Sequence, residues 1–181
     1  MFDNNTGILF NESEKKAFEK WVRAGGAVVG IHGATHAHKG ANDDNVAEWP
    51  FWYGMWGVLH KTGPKKGPSG KRGYADTIIM NGDKELLSTS NVPMKWRLNL
   101  VEWYFWNYHD SYRETDVIAT GEVKQNQPDL PANYPVTWRH EYQGGRIWYT
   151  NMGHYAENFH QEEFIQHLLD GIAWAAEKEP R

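Results

Sequence analysis

The sequence contains no cysteine. Disulfide bridges, thiolate zinc sites and cysteine nucleophiles are therefore excluded, and any metal ion would have to bind through histidine, aspartate or glutamate. Long apolar runs are also missing, since none approaches the ~20 residues of a membrane-spanning helix. The first residues lack the basic and apolar segments of a signal peptide. We therefore expect a soluble protein that does not bind membranes, in the cytoplasm or the periplasm.

An excess of positive charge is missing as well. The net charge is −4 and the isoelectric point is about 6.1, whereas nucleic-acid binding needs a basic face that replaces phosphate counterions. The basic residues cluster only in the Gly/Pro-rich stretch from Lys61 to Gly73, which is typical of a solvated loop. Motifs of nucleotide binding and serine hydrolysis are lacking. We expect one domain over residues 1–181 and no nucleic-acid partner.

Aromatic residues, in contrast, are abundant: the chain has ten Trp, nine Tyr and seven Phe. Aromatic faces stack on sugar rings, and they also fill protein cores. For any single ring the core is the more frequent place. The composition alone leaves a carbohydrate ligand open.

The stretch from Gly25 to His36 (GGAVVGIHGATH) carries the first site candidate. A helix that begins at Asn11, with Glu14 at capping-box spacing, ends at its glycine pair. The continuous apolar run that follows predicts a parallel strand buried on both faces, and His32 ends this strand. Ligands of open, mostly parallel sheets bind beyond the carboxyl ends of the strands, so His32 is a candidate.

Two further residues share this pattern. His154 follows a predicted hairpin of Val136 to Tyr142 and Arg146 to Thr150, and Glu102 is the single carboxylate of the aromatic run LVEWYFWNY. Histidine moves protons near neutral pH and a carboxylate can fix its tautomer. We predict acid/base chemistry by His32, Glu102 and His154, while each of them alone is more often structural.

A metal site is the alternative. His32, His36 and His38 have H-x3-H-x-H spacing, and imidazole nitrogens bind zinc or similar divalent ions. The glycine after His32 argues against the helix that would bring the first two together. His60, at the end of an aromatic short helix around Trp52, is the next candidate. A metal-dependent hydrolase or oxidoreductase would use His32, His36 and His60.

The chain closes with a helix predicted over Gln161 to Ala176. Its apolar residues recur at helical spacing and predict one buried face. They are Phe164, Ile165, Leu168, Leu169, Ile172 and Ala173.

Five segments together resemble the ThuA-like, or trehalose-utilisation, family. They are GGAVVGIHGAT, WPFWYGMWGVLH, VEWYFW, PVTWRHEYQGGRIWYTNMGH and HLLDGIAWAA, and the resemblance extends from about Asp3 to Ala176. It implies an α/β three-layer sandwich of the flavodoxin-like, class I glutamine amidotransferase-like fold. Amidotransferases carry a nucleophilic cysteine in the turn where this sequence has His32, so the resemblance implies no glutamine hydrolysis.

The family pattern carries over onto His32, His60, Glu102, Arg146 and His154. This sequence departs from the pattern at His36 and in its long basic insertion. Members of the family normally begin with a β-α-β unit that precedes the position of Phe2. We therefore expect a single ThuA-like domain shortened at its N-terminus, with an exposed sheet edge near Gly26 to His32 unless a homo-oligomer covers it.

The resemblance implies a protein of carbohydrate catabolism that acts on a disaccharide or its keto derivative, by isomerase-, lyase- or hydrolase-type chemistry. The ligand would be a small carbohydrate or glycan bound by Trp49, Trp52, His60, Trp103, Tyr104 and Arg146. A non-catalytic glycan-binding module is the rival interpretation. It predicts carbohydrate affinity that depends on the tryptophans and not on His32.

Overall fold

The fold was obtained as a computed structural model. It describes residues 1–38, 49–60, 74–81, 92–104, 106–122 and 133–177, apart from the side chains of residues 59, 60 and 107. Within these ranges the chain forms three α-helices: α1 (Glu12–Arg23), α2 (Pro50–Trp56) and α3 (Glu162–Ala176). The same ranges contain nine strands: β1 (Phe2–Asp3), β2 (Ala27–Ile31), β3 (Val58–His60), β4 (Tyr74–Met80), β5 (Lys95–Val101), β6 (Trp106–Tyr108), β7 (Asp116–Gly121), β8 (Tyr134–Tyr142) and β9 (Gly145–Thr150).

Helix α1 has the boundaries that its sequence signals predict. The Asn11 side chain accepts hydrogen bonds from the backbone N–H groups of Ser13 and Glu14, and the Glu14 carboxylate accepts one from the Asn11 backbone N–H. This reciprocal capping box satisfies donors that a helix start leaves free. Gly25 follows the helix with a φ of +93°, a conformation that glycine adopts without steric cost. Strand β2 therefore begins four residues after the last residue of α1.

Seven strands form one sheet in the order β1-β2-β9-β8-β7-β4-β5, and β3 pairs with β6. Only β1–β2 and β2–β9 are parallel pairs among the strands described. Beyond β9 the described pairs of this sheet are antiparallel, beginning with β8 and β9, which a tight hairpin can join only in antiparallel fashion. The α/β fold class itself is confirmed.

Alternate residues of β2 and β9 face two helical layers. A Cβ atom on Gly30 would lie 2.5 Å from the ring of Trp56 in α2, and one on Gly171 in α3 would lie 2.3 Å from the ring of Trp148. Trp148 and Tyr149 are consecutive in β9, and the Tyr149 ring faces Trp56. Since neighbouring residues of a strand point to opposite faces, α2 and α3 cover opposite sides of the sheet. This is the expected three-layer sandwich.

Helix α3 docks by a different stripe from the one predicted. Phe164, Leu168 and Ala175 are buried, whereas Ile165 and Leu169 are 40% and 53% exposed. Gly171 lies on the buried stripe and permits the close approach to Trp148. The hydropathy pattern was misleading because a residue without a side chain lies at the centre of the contact face, where an apolar residue was expected.

The tryptophans mostly fill the core. Eight of the ten are buried, and the rings of the α1–α2 side pack edge-to-face and stacked on each other. Such rings bury 150–250 Å² each, so they dominate the apolar stabilisation of a domain of this size. The abundance of aromatic residues is thus first a property of packing.

The β2 edge is partly covered. Strand β1 pairs with Gly30 and Ile31, while the other three β2 residues pair with described strands only on the β9 side. The expectation that a second copy covers this edge stays a prediction. In the part of the chain that the structure describes, no helix is long and apolar enough to cross a bilayer.

Candidate functional site

The three predicted acid/base residues follow the carboxyl ends of β2, β5 and β9. Four antiparallel steps separate β9 from β5 in the sheet, so the two strands point the same way, as does β2. The segment after β5 crosses the sheet edge toward β2 and β9. Possible ligand atoms of His32, Glu102 and His154 lie within 4.8 Å of one another. The structure therefore brings these three side chains together.

His32 lies in a tight turn between β2 and a 3-10 helix. Its φ is +42°, a left-handed conformation that is uncommon for a residue with a side chain. A Cβ atom on Gly33 would lie 2.9 Å from the Cα atom of Asn4, so only glycine fits there. A strained turn flanked by close contacts is the geometry of a nucleophile elbow. Here it presents an imidazole.

Both ring nitrogens of His32 contact oxygen atoms. Nδ1 lies 2.8 Å from the Asn4 side-chain oxygen, and Nε2 lies 3.0 Å from the backbone carbonyl oxygen of Glu102. The ring is fully buried. The Tyr149 hydroxyl donates a hydrogen bond of 2.8 Å to the His32 carbonyl oxygen. His32 is therefore held at its ring and at its backbone.

Asn4 is the residue that sequence reasoning missed. The Asn4 amide nitrogen donates to the Asp3 carboxylate (2.9 Å) and to the Gly153 carbonyl oxygen (3.0 Å). Its side-chain oxygen accepts from the Gly33 backbone N–H at 3.3 Å. Asn4 thus ties the His32 turn to the loop that carries His154. A polar residue directly after a short strand at the same sheet edge was the only available signal.

Glu102 and His154 form the second half of the site. Nε2 of His154 lies 2.9 Å from Oε2 of Glu102, although the approach is poorly aligned for a hydrogen bond. The Glu102 side chain is 8% exposed and the His154 side chain 33%. Nδ1 of His154 is buried and has no hydrogen-bond partner among the described residues. The pair thus combines a shielded carboxylate with a partly accessible imidazole.

The crossing segment is fixed by its neighbours. The side chain of buried Asn151 accepts from the Tyr104 backbone N–H at 3.2 Å and donates to the Tyr104 carbonyl oxygen at 3.1 Å. The Trp103 indole donates a 2.8 Å hydrogen bond to Asp76, and burial raises the pKa of that carboxyl. The Tyr104 ring lies over His32, with 4.0 Å between the ring centroids. These contacts fix Trp103 and Tyr104, and thereby position the neighbouring Glu102 at the sheet edge.

The other predicted site residues lie elsewhere. Trp49, Trp52 and Trp103 are buried in the core, at 5%, 0% and 2% exposure, and of the four predicted sugar-facing rings only Tyr104 adjoins His32. Arg146 lies near the opposite end of β9, where its guanidinium stacks over Trp174 at 4.3 Å and contacts Glu177. The structure does not bring Trp49, Trp52 or Arg146 to His32 and His154.

Two of the predicted metal ligands, His32 and His36, lie in the described part of the chain. His36 lies beside Tyr104, with 5.7 Å between ring centroids, and among the described residues the group with metal-ligand spacing is His32, Glu102 and His154. The side chain of His60 and the basic loop at residues 61–73 lie outside the described residues. Both His32 nitrogens face oxygens, whereas a ligand nitrogen must turn a lone pair toward the ion. In this arrangement His32 does not fit a metal.

The chain matches the family profile described as ThuA, trehalose utilisation, over residues 1–175. No curated protein sequence matches it.

Solved structures agree on the fold. A ThuA-like protein from Bacteroides uniformis superposes with a TM-score of 0.71 at 21% identity, over 96% of this chain and 68% of its own. A ThuA-like protein from Parabacteroides merdae gives a TM-score of 0.72 at 21% identity, over 99% of this chain and 72% of its own. A β-galactosidase from Bacillus circulans gives 0.59 at 13% identity, over 95% of this chain and 22% of its own.

Proposed function

Because this chain belongs to the ThuA, or trehalose-utilisation, family, we propose that it acts on a disaccharide or its keto derivative by acid/base chemistry. His154 is the proton carrier in this proposal, Glu102 holds it, and His32 lies beneath the pair. The family description supplies the substrate class. The arrangement of the three side chains supplies the type of reaction.

The observation that carries the proposal is the 2.9 Å contact between His154 Nε2 and Glu102 Oε2. A carboxylate that holds one imidazole nitrogen leaves the other nitrogen to exchange a proton with a substrate, as in the histidine–carboxylate pairs of hydrolases. His154 Nδ1 is that other nitrogen; it is buried and has no hydrogen-bond partner among the described residues, so proton exchange at this atom requires the partly exposed ring to turn toward the substrate. Poor alignment of the first contact is common before substrate binds.

Proton abstraction next to a carbonyl group suits such a pair. The C–H bond beside the keto carbon breaks, its proton moves to His154 Nδ1, and its electron pair forms the enediolate. The hydroxyl proton of the enediolate then shifts to the former keto oxygen, and return of the proton from His154 to the former keto carbon gives the isomeric keto-sugar. Glu102 stabilises the imidazolium that exists between the two steps. No co-reactant is needed, so atoms and electrons balance.

Tyr104 is the aromatic residue best placed to contact a sugar. Its ring is partly exposed and lies between His32 and His36, with ring centroids 4.0 and 5.7 Å away. Aromatic faces pack against the C–H face of sugar rings by hydrophobic contact. The buried tryptophans then support the site from the core.

Deuterium exchange tests the proposal. The protein is incubated with 3-keto-trehalose in deuterated buffer, and deuterium at the carbons beside the keto group is followed by NMR. We expect exchange in the wild type and a loss of about 10²–10⁴-fold in His154→Gln, the range that general acid–base catalysis supplies. Glu102→Gln should reduce exchange less, because the imidazole remains.

His109→Gln is the matched control. His109 is an exposed histidine whose Nδ1 contacts the Ser111 hydroxyl at 2.8 Å, away from the site, and its loss should leave exchange unchanged. Equal exchange in wild type and His154→Gln would refute the proposed role of His154. Tight trehalose binding without any exchange would instead favour the glycan-binding module.

Elemental analysis decides the metal interpretation separately. Stoichiometric zinc or another divalent ion in the purified protein, lost in His154→Gln, would mean that His32 reorients to release a lone pair. We expect the exchange reaction to withstand prolonged dialysis against a chelator. A reaction that stops on chelation and returns with metal would replace the acid/base proposal.

A further inference from the structure

The hydrogen bonds of the Asn4 side chain determine which way its amide points. The amide nitrogen contacts the Asp3 carboxylate and the Gly153 carbonyl oxygen, both of which only accept. The amide oxygen contacts the Gly33 backbone N–H, which only donates. Reversing the amide would set oxygen against two oxygens and nitrogen against an N–H group. The atom that faces His32 Nδ1 is therefore an acceptor.

The second partner of His32 is an acceptor as well. Nε2 faces the backbone carbonyl oxygen of Glu102 at 3.0 Å, and a carbonyl oxygen carries no proton. A neutral imidazole has a proton on one nitrogen only, so one of the two contacts would place a lone pair against a lone pair. An imidazolium donates from both nitrogens and satisfies both contacts.

The surroundings supply compensation for a buried positive charge. The Glu102 carboxylate lies within 4.8 Å of a ring nitrogen of His32, and the Tyr104 ring covers its face at 4.0 Å between centroids. Aromatic faces attract cations, most strongly where water is excluded. The titratable groups on the elements packed around His32 are Asp3, His36, Glu102, Tyr104, Tyr149 and His154. Burial raises the pKa values of Asp3 and Tyr149, and Glu102 is the carboxylate with an oxygen within 4.8 Å of a His32 ring nitrogen.

From this geometry we infer that Asn4 is a positioning residue that holds His32 as a permanent imidazolium, a fixed cation rather than a proton carrier. The inference rests on the proposed function in assigning the proton transfer to His154 alone. The positive charge of His32 and the negative charge of the Glu102 carboxylate offset each other. The cation also lies 4.7 Å from the His154 ring, centroid to centroid, where it stabilises negative charge that develops on a bound substrate.

NMR of the full chain labelled with ¹⁵N-histidine tests the inference without any substrate. Long-range ¹H–¹⁵N spectra distinguish an imidazolium, with two protonated nitrogens, from either neutral tautomer, and His32→Gln assigns the His32 signals. We expect the His32 imidazolium pattern across the range from about pH 5 to 9, in which ordinary histidines titrate near pH 6.5.

Two Asn4 variants separate positioning from folding. Asn4→Ala removes the acceptor, so His32 should titrate to a neutral tautomer within the same range. Asn4→Asp retains an acceptor oxygen and should restore the imidazolium pattern. A merely structural role for Asn4 would alter both variants alike. A neutral His32 in the wild type, or an unchanged His32 pattern in folded Asn4→Ala, would overturn the inference.

The pH dependence of deuterium exchange gives a second reading. A fixed cation adds no His32 ionisation to the wild-type profile, whereas Asn4→Ala should add one. Because the NMR signature needs no turnover, absence of exchange would refute the proposed function alone. A neutral His32 together with normal exchange would refute this inference alone.

Discussion

His32 and His38 share burial and backbone conformation, but their surroundings are opposite. Both side chains are fully buried, with φ values of +42° and +58°. Each His32 nitrogen contacts an oxygen, whereas neither His38 nitrogen has a hydrogen-bond partner among the described residues. The His38 ring instead stacks on Phe10 and packs edge-to-face against Trp49 and Trp52. Phe18 packs against the same two tryptophans. We call Phe10, Phe18, Trp49 and Trp52 the aromatic box.

The difference teaches that burial alone does not identify a functional histidine. In the aromatic box, desolvation lowers the His38 pKa to about 4. The ring is therefore neutral and packs as an apolar side chain would. In the polar pocket around His32, acceptors on both sides favour the charged ring. The oxygen neighbours of a buried imidazole are therefore the better guide to its chemistry.

The largest effect on stability is expected when His32 and His38 are each replaced by leucine. His32→Leu removes one hydrogen-bond donor from the Asn4 side-chain oxygen and one from the Glu102 carbonyl oxygen, and it takes the neighbouring ring from the Glu102 carboxylate. This change should lower the free energy of unfolding by about 2–5 kcal/mol. His38→Leu replaces one buried ring without hydrogen-bond partners among the described residues by an apolar side chain. It should change the free energy of unfolding by less than about 1 kcal/mol. Both positions have positive φ, so backbone strain contributes similarly. Urea unfolding at neutral pH gives both values, and equal losses would remove the distinction.

A second test follows the pH dependence of stability. Burial lowers the pKa of His38 to about 4 and that of His167 to about 3. The unfolded chain takes up these protons from about pH 6.5 downward while the folded chain does not, so stability falls as the pH drops. For His38 we expect a loss of about 1–3 kcal/mol between pH 6.5 and 4.

His38→Phe removes the titrating ring and should flatten that part of the stability curve. The measurement is the urea midpoint of both proteins at several pH values. An unchanged slope in His38→Phe would mean that His38 is charged in the folded protein.

A third test concerns the ring above His32. Tyr104→Leu removes a contact between an aromatic face and a cation, which is worth about 0.5–2 kcal/mol, and should reduce deuterium exchange by about 3- to 30-fold. Tyr104→Phe keeps the face and should stay within about 3-fold of the wild type. Equal losses in the two variants would assign the effect to the hydroxyl group.

The smallest expected effect lies at the rim of the aromatic box. The Trp49 indole donates a 2.8 Å hydrogen bond to the Glu19 carboxylate. Glu19→Gln retains an oxygen acceptor and should change the unfolding free energy by no more than about 0.5 kcal/mol. A clearly larger change in the urea midpoint would show that the box depends on this charge as well as on ring packing.

The sequence predicted what local signals encode. The capping box at Asn11, the glycine after α1 and the β8–β9 hairpin are confirmed because short-range chemistry determines each of them. The positions of His32 and His154 after strand ends followed from hydropathy. Their meeting with Glu102 depends on how the segment after β5 crosses the sheet toward β9 and β2, which no local pattern specifies.

The remaining features depend on contacts between distant residues. Asn4 acquires its importance from Gly153, which is 149 positions away. The partition of tryptophans between core and ligand surface depends on which helix faces which strand, and composition cannot reveal it. Hydrogen bonds made by single polar residues were therefore the hardest part of the site to foresee.

The placement of Asn4 just after β1 affects how this protein would lose activity. Strand β1 has two residues, and it is the edge strand of the sheet as described. Short edge elements open in local fluctuations that require far less free energy than global unfolding. Each opening would withdraw the Asn4 side chain from His32 while the tryptophan core stays intact. Heating should therefore inactivate the protein below the temperature at which tryptophan fluorescence reports unfolding, and the amide of Asn4, bonded to the Ile31 carbonyl oxygen at 3.2 Å, should exchange its hydrogen earlier than those of β9.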